Sequence, residues 1–181
     1  MLAGMTDPGS SAPRRRRWAV SAAVAVLILV VDQLTKYWAV SALTAHAPVP
    51  VFGDFLSLRL LYNSGAAFSI GENSTWVFTA VAAAAVVVLV RLAGRVRSPG
   101  WAFSLGLLLG GAATHLLDRL FRAPGFARGH VVDFIDYNDW FVGNVADIAL
   151  ALGAVLAVLL SLRGVGMDGN HQSRRPKRIT P

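Results

Sequence analysis

The chain has 181 residues, 55% of them hydrophobic and 15% charged, with a mean hydropathy of +0.54, no cysteine and a net charge of +7. A soluble domain carries about 25% charged residues and cannot hide this much apolar surface in so small a core, which excludes an ordinary water-soluble globule. Without cysteine there is no disulfide framework, thiolate metal site or cysteine nucleophile.

Four apolar segments follow one another, at about 18–40, 75–90, 101–117 and 141–162. A bilayer core of ~30 Å needs ~20 apolar residues in a helix, range ~17 to 25, so four spans fit, the second and third being short. The first follows Arg14-Arg15-Arg16-Arg17 and is broken near its end by Asp32, Gln33 and Lys36. It has the outline of a signal peptide, with Ala45-His46-Ala47 as an A-x-A site. The charged residues before that site and the three later spans argue against cleavage. Between the first two spans, Leu56, Leu58 and Leu60 alternate onto one face. Between the last two, His130-Val131-Val132-Asp133-Phe134-Ile135 is short and β-branched, so a small sheet at the outer membrane surface is predicted. In Asn63-Ser64-Gly65-Ala66-Ala67-Phe68, turn residues run into small ones that let another backbone approach closely. The tails, 1–13 and 164–181, are rich in Gly, Pro, Ser and Arg and are predicted to be disordered.

A pI near 11 would suit nucleic acid only if the basic residues shared a surface with groove-reading elements. They are instead sorted by segment. Arg14 to Arg17, Arg91, Arg95, Arg97, Arg163, Arg174, Arg175, Lys177 and Arg178 are twelve of the seventeen basic residues, and only Asp7 and Asp168 accompany them. By the positive-inside rule both termini are cytoplasmic and the 41–74 and 118–140 loops lie outside, with +10 on one side and −3 on the other. Basicity thus reports topology, and no nucleic-acid partner is expected.

An acid at a helix centre costs ~2.5 to 3.5 kcal/mol on insertion scales, which makes it a functional hypothesis by default. Asp147 lies six residues into the fourth segment, ~9 Å below its outer end, with Asn144 one turn above. The alternative is a structural hydrogen bond between helices. A second carboxylate is available at Asp118, which ends the third segment, or at Asp133 among Val131, Val132, Phe134 and Ile135. Arg119 beside Asp118 would hold it ionised, whereas an acid flanked by valines is desolvated and keeps its proton to higher pH. A dyad sharing one proton needs one carboxyl as acid and one as base, and Asp133 suits that role better. Such a pair deprotonates a water for attack on an amide and then protonates the leaving amine. This reading is aspartic peptide hydrolysis at the outer membrane surface, without metal or cofactor.

Asp32-Gln33-Leu34-Thr35-Lys36, Asn63-Ser64-Gly65-Ala66-Ala67-Phe68-Ser69, Gly110-Gly111-Ala112, Asp118-Arg119-Leu120, Gly129-His130-Val131-Val132-Asp133-Phe134-Ile135 and Asn144-Val145-Ala146-Asp147 occur in this order. Together, over roughly 18–162, they resemble lipoprotein signal peptidase (signal peptidase II). The resemblance implies an all-α polytopic membrane protein of four transmembrane helices with a small extracytoplasmic β-element. It implies a multi-pass protein of the bacterial inner membrane, with its active site near the outer leaflet. The activity it implies is removal of the signal peptide of diacylglyceryl-modified prolipoproteins immediately before the lipid-modified cysteine. Its catalytic pair falls on Asp133 and Asp147, and its supporting positions on Asp32, Lys36, Asn63, Gly65, Arg119 and Asn144. His115 and Asp118 join these as candidate supporting residues. The family is inhibited by globomycin, a cyclic lipopeptide that occupies the substrate site. The expected organisation is a basic cytoplasmic tail over 1–17, a peptidase domain over 18–162 and a second basic tail over 163–181. The expected partners are prolipoproteins and membrane lipids, and the expected state is a monomer.

One departure is visible. Where the family has Gly-Asn three residues before the Asp-Arg pair, this chain has Thr114-His115. Threonine adds bulk, and histidine replaces an amide with an imidazole that charges near pH 6.5. A contact of His115 with Asp118, at i, i+3, would compensate. Lineage variation that keeps a polar group is one reading; altered substrate preference, pH dependence or activity is the other. Asp32 and Lys36, at i, i+4, read either as an ion pair near the outer interface or as substrate-facing. Gly106 and Gly110 read as close helix packing, Arg119 and Arg122 as candidates for snorkelling, and Trp18, Trp101 and Trp140 as an aromatic belt. His46 and His171 read as bystanders. No metal-binding spacing, phosphate-cradling loop or Ser/His/Asp arrangement is evident. A lipopeptide-binding paralogue without activity and a small membrane transporter are the alternatives. A transporter would show inverted repeats or broken mid-membrane helices, whereas these acids cluster at one face.

Overall fold

The computed structural model describes residues 12–43, 48–53, 55–65 and 75–170, the side chains of 12–16 excepted. Ala45-His46-Ala47, Ala66-Ala67-Phe68-Ser69 and His171 lie outside the described residues. Four helices carry the fold: α1 (Ala12–Ala42), α2 (Thr75–Ala93), α3 (Pro99–Phe121) and α4 (Val145–Leu162). All four are long and apolar enough to cross a membrane. Half of the most apolar stretch of α3 is buried, against 11–17% in the other three, so α3 is the central helix and the others present their faces to lipid. Its two adjacent glycines explain that position. A Cβ on Gly110 would lie 2.7 Å from Cβ of Ile28 on α1, and one on Gly111 would lie 2.6 Å from Cγ of Leu150 on α4. Hydrogen at both lets α1 and α4 close on α3 from two sides.

The β-element is larger than the two segments read from the sequence. Strands β1 (Val49–Phe52), β2 (Leu56–Asn63), β3 (Val131–Tyr137) and β4 (Phe141–Gly143) form one antiparallel sheet in the order β1-β2-β3-β4. This sheet corrects the all-α description to helices plus a four-stranded sheet. The flanking strands are four and three residues long, too short to show a period in sequence. A bulge between Leu58 and Leu61 interrupts the β2–β3 register, so the leucine alternation does not continue through Tyr62. The β3–β4 turn places Asn138 and Asp139 at φ 55° and 59°, the left-handed pair of a tight hairpin that Asn and Asp tolerate.

Helix boundaries differ from the hydropathy reading where capping decides them. Residues 141–143 belong to β4, paired with Ile135, Asp136 and Tyr137, and α4 starts only after Asn144. Asp147 is therefore at the third helical position of α4, in its first turn, and not six residues inside a span. Helix α3 continues to Phe121, which takes Asp118 and Arg119 out of the loop and into its last turn. Helix α1 begins at Ala12, so the run Arg14 to Arg17 is helical.

Part of the second tail is ordered. The carbonyl of Met167 accepts from the N–H groups of Arg97 (2.8 Å) and Ser98 (3.1 Å), and Val165 O accepts from the indole of Trp101 (2.7 Å). Met167 packs against Val96, Ala102 and Leu105. Residues 164–170 thus close over the α2–α3 turn, because Met167, in an otherwise polar segment, has a core to join.

Candidate active site

The hairpin β3–β4 runs directly into α4, which brings Asp133 on the central strand to the helix start. The joint is Asn144. Its side-chain oxygen accepts from the Asp147 N–H (3.2 Å) while its own backbone N–H donates to Asp147 Oδ2 (2.9 Å), a reciprocal capping box. The amide Nδ2 of the same residue donates to Asp133 Oδ1 (2.6 Å) and to Val132 O (3.3 Å). One side chain therefore fixes both aspartates relative to each other.

Asp133 is 2% exposed. Its second oxygen accepts from Asn63 Nδ2 (3.0 Å), and Asn63 is itself held by the Gly65 N–H on its Oδ1 (2.8 Å). Gly65 adopts φ +89°, and a Cβ there would lie 2.6 Å from the Phe78 ring, so the turn that aims Asn63 requires glycine. Burial raises the Asp133 pKa from 3.8 to about 6, opposed by the bond from Asn63 and reinforced by the negative charge of Asp147. Asp147 stands in a different setting, 28% exposed in the first turn of α4. Its Oδ1 lies 3.2 Å from Nε2 of His115. The expected contact of His115 with Asp118 does not form; the imidazole faces α4 instead.

A buried ionic cluster supports the pair from behind. Lys36 Nζ lies 2.7 Å from Asp32 Oδ2 and 2.7 Å from Asp118 Oδ2, with all three side chains at most 1% exposed. The two carboxylates then reach the elements that carry Asp147 and Asp133. Asp32 Oδ1 accepts from the Ala146 N–H (2.9 Å) at the start of α4, and Asp118 Oδ2 accepts from the Val132 N–H (3.3 Å) on β3. Thr114 donates to Asp32 Oδ2 and accepts from Gln33 Nε2 (2.7 Å), so its hydroxyl joins the network. The Asp32–Lys36 pair is thus a buried ion pair, set within the helix bundle.

Arg119 and Asp118 attract each other, as adjacency suggests, but the direct contacts of Asp118 are made by other residues. Successive residues on a helix point 100° apart, and Arg119 turns the other way, donating to Gly129 O (3.2 Å) and lying 5.5 Å from the Phe78 ring centroid. Arg122, one turn on, binds Asp118 Oδ1 through Nε (2.7 Å), and Gln33 Nε2 adds a bond to the same oxygen (3.0 Å). Gln33 and Arg122 are the site-supporting residues that sequence reasoning missed. The i, i+4 spacing of Arg122 from Asp118 was the available signal.

Residues 24–163 match the family model for signal peptidase (SPase) II. The chain belongs to the signal peptidase II family. A lipoprotein signal peptidase of Rhodococcus jostii is 45% identical over 92% of this chain and 86% of its own length, and that of Mycobacterium avium is 47% identical over 91% and 90%. The Streptomyces coelicolor lipoprotein signal peptidase is 47% identical over 86% of this chain and 76% of its own. A solved bacterial membrane enzyme superposes with a TM-score of 0.68 at 27% identity, covering 80% of this chain and 94% of that one. As a member of signal peptidase II, the protein is a protease and an integral membrane protein, which sets the transporter alternative aside.

Proposed function

We propose that this signal peptidase II cleaves prolipoproteins immediately before the lipid-modified cysteine, with Asp133 and Asp147 as the catalytic pair. The observation that carries the reading is the grip of Asn144 on both aspartates, which holds two carboxylates of opposite character at one place. Asp147, at the helix start and partly open to solvent, takes the part of the base; Asp133, buried and keeping its proton to higher pH than an ordinary carboxyl, takes that of the acid. Asp147 takes a proton from a water, whose oxygen attacks the scissile carbonyl. Asp133 gives its proton to the carbonyl oxygen. In the second step Asp147 returns its proton to the leaving amine, and Asp133 recovers one as the carbonyl re-forms. Asn63, Gly65, Asn144, Asp32, Lys36, Asp118 and Arg119 position the pair or the strand that carries it.

Beside His115 and Arg119, a cavity of about 280 Å³ is walled by Phe78, Val81, Ala82, Ala85, Ala112, Val131 and Leu150. Its apolar walls, opening among lipid-facing helices, suit the acyl chains or signal-peptide side chains of a prolipoprotein. The charge distribution supports a multi-pass topology in the bacterial inner membrane, with both termini cytoplasmic and the sheet and site at the outer leaflet. The basic 1–17 and 163–181 segments then flank a peptidase unit over 18–162. The chemistry uses side chains alone and one copy of the chain.

The test is cleavage of a synthetic diacylglyceryl-modified prolipoprotein by the purified protein, with and without globomycin. Wild type is expected to cleave, and Asp133→Asn and Asp147→Asn are each expected to lose at least ~10²-fold while still unfolding in one cooperative transition. Intact substrate under conditions where a Mycobacterium avium relative cleaves would refute the peptidase reading for this substrate and leave the non-cleaving paralogue. Retained activity in either aspartate variant would refute the pair.

A further inference from the structure

The imidazole of His115 is the third proton-binding group at the pair. Its Nε2 lies 3.2 Å from Asp147 Oδ1, with the ring 20% exposed. The other oxygen of Asp147 is already taken by the Asn144 N–H, so His115 completes the set of donors around this carboxylate. The charged groups facing the ring can be named element by element. Along α3, Arg119 is turned to Gly129 O, and Asp118 is turned to Lys36 and Arg122. From α4 comes Asp147, and from β3 Asp133, which feels the imidazole charge. From α2 the described side chains at the adjoining cavity are apolar, Phe78 and Val81 among them. Among the described residues, Asp147 is thus the carboxylate within hydrogen-bond reach of the ring.

We propose that His115 is a positioning residue that holds Asp147 as the charged member of the pair and thereby sets the pH range over which the enzyme cleaves. The proposal rests on the Asp133–Asp147 reading above. Through its Nε2–H the ring donates to Asp147, and when it carries its second proton the contact becomes one between opposite charges. An imidazolium at this distance favours the ionised forms of both aspartates, and so lowers the pH at which the pair passes through its singly protonated state. The ring itself neither gains nor loses a proton in the reaction. The proton taken from water goes to Asp147 and leaves with the amine, while His115 keeps the Oδ1 side of that carboxylate fixed.

The experiment compares kcat/KM across about pH 5 to 9 for wild type and His115→Asn, which keeps an N–H donor at the site but does not titrate. Both limbs of the variant profile are expected to lie about half to one pH unit higher, which changes kcat/KM about three- to tenfold on each limb, in opposite directions, and so raises the ratio of the high-pH to the low-pH value by about ten- to a hundredfold. A purely structural role scales the profile without moving it, so limbs that coincide with wild type overturn the proposal. If the variant is too slow to profile, infrared titration of isotope-labelled aspartate carboxyls decides. Asp133 is expected to deprotonate at higher pH in His115→Asn than in wild type, and an unchanged transition overturns the proposal. Active Asp133→Asn or Asp147→Asn would place the fault with the pair; inactive ones beside an unmoved His115→Asn profile would place it here.

Discussion

Lys36→Met removes the cation shared by Asp32 and Asp118, three side chains buried to within 1% exposure. Arg122 still pairs Asp118 at 2.7 Å, so the carboxylate left uncompensated is Asp32. It retains the bonds from Thr114 and the Ala146 N–H, but no charge. Removing one partner of a buried pair costs about 3–5 kcal/mol, because the remaining charge has neither water nor counter-ion. For a chain of this size each kcal/mol moves the melting temperature by roughly 2–4 °C, giving a loss of about 6–20 °C. The assay is thermal unfolding of the purified protein in one detergent, followed by circular dichroism. Combining Lys36→Met with Asp32→Asn should recover more than half of the loss, since the orphaned charge is gone. A single variant melting within about 2 °C of wild type would show that the cluster is not the ionic brace described above.

Two further outcomes follow from the same geometry. Asn144→Ala removes a helix cap worth about 1 kcal/mol and also frees Asp133 from Asp147, so cleavage should fall about 10²-fold while the melting temperature drops only by a few degrees. Comparable losses in both would reduce Asn144 to a cap. The Asp133 pKa, raised from 3.8 to about 6, means that the folded protein binds the extra proton. Stability from this group is therefore complete below pH 3.8 and is lost as pH rises to about 6, by up to roughly 3 kcal/mol. Asp133→Asn should flatten that part of the melting-temperature profile, and a variant profile parallel to wild type over this range would contradict it.

Helix number and the polar residues of the site were legible in the sequence because the bilayer leaves long apolar runs and penalises each acid placed near them. What was not legible depended on direction. Hydropathy assigned residues 141–143 to a helix, since Phe141 and Val142 are apolar in any element; only pairing with Ile135, Asp136 and Tyr137 makes them a strand. Adjacency suggested that Arg119 serves Asp118, whereas the helical turn hands that task to Arg122. His115 was assigned to the right neighbourhood and the wrong carboxylate, because i, i+3 spacing marks a face but not the helix packed against it. Gln33 is a neutral amide beside the charged Asp32 and Lys36, and its role appears only once α1 lies against α3.

The placement of Asp32 and Asp118 on α1 and α3, and of Asp147 on α4, also orders events during synthesis. The ionic brace needs only the first three helices, all of which leave the ribosome before the strand and helix that bear Asp133 and Asp147. The N–H groups of Val132 and Ala146 then dock onto acceptors already in place. A nascent chain lacking its last helix carries one member of the proposed pair at most. Proteolytic competence therefore arrives with the final insertion step, when the bundle that must contain it has been built.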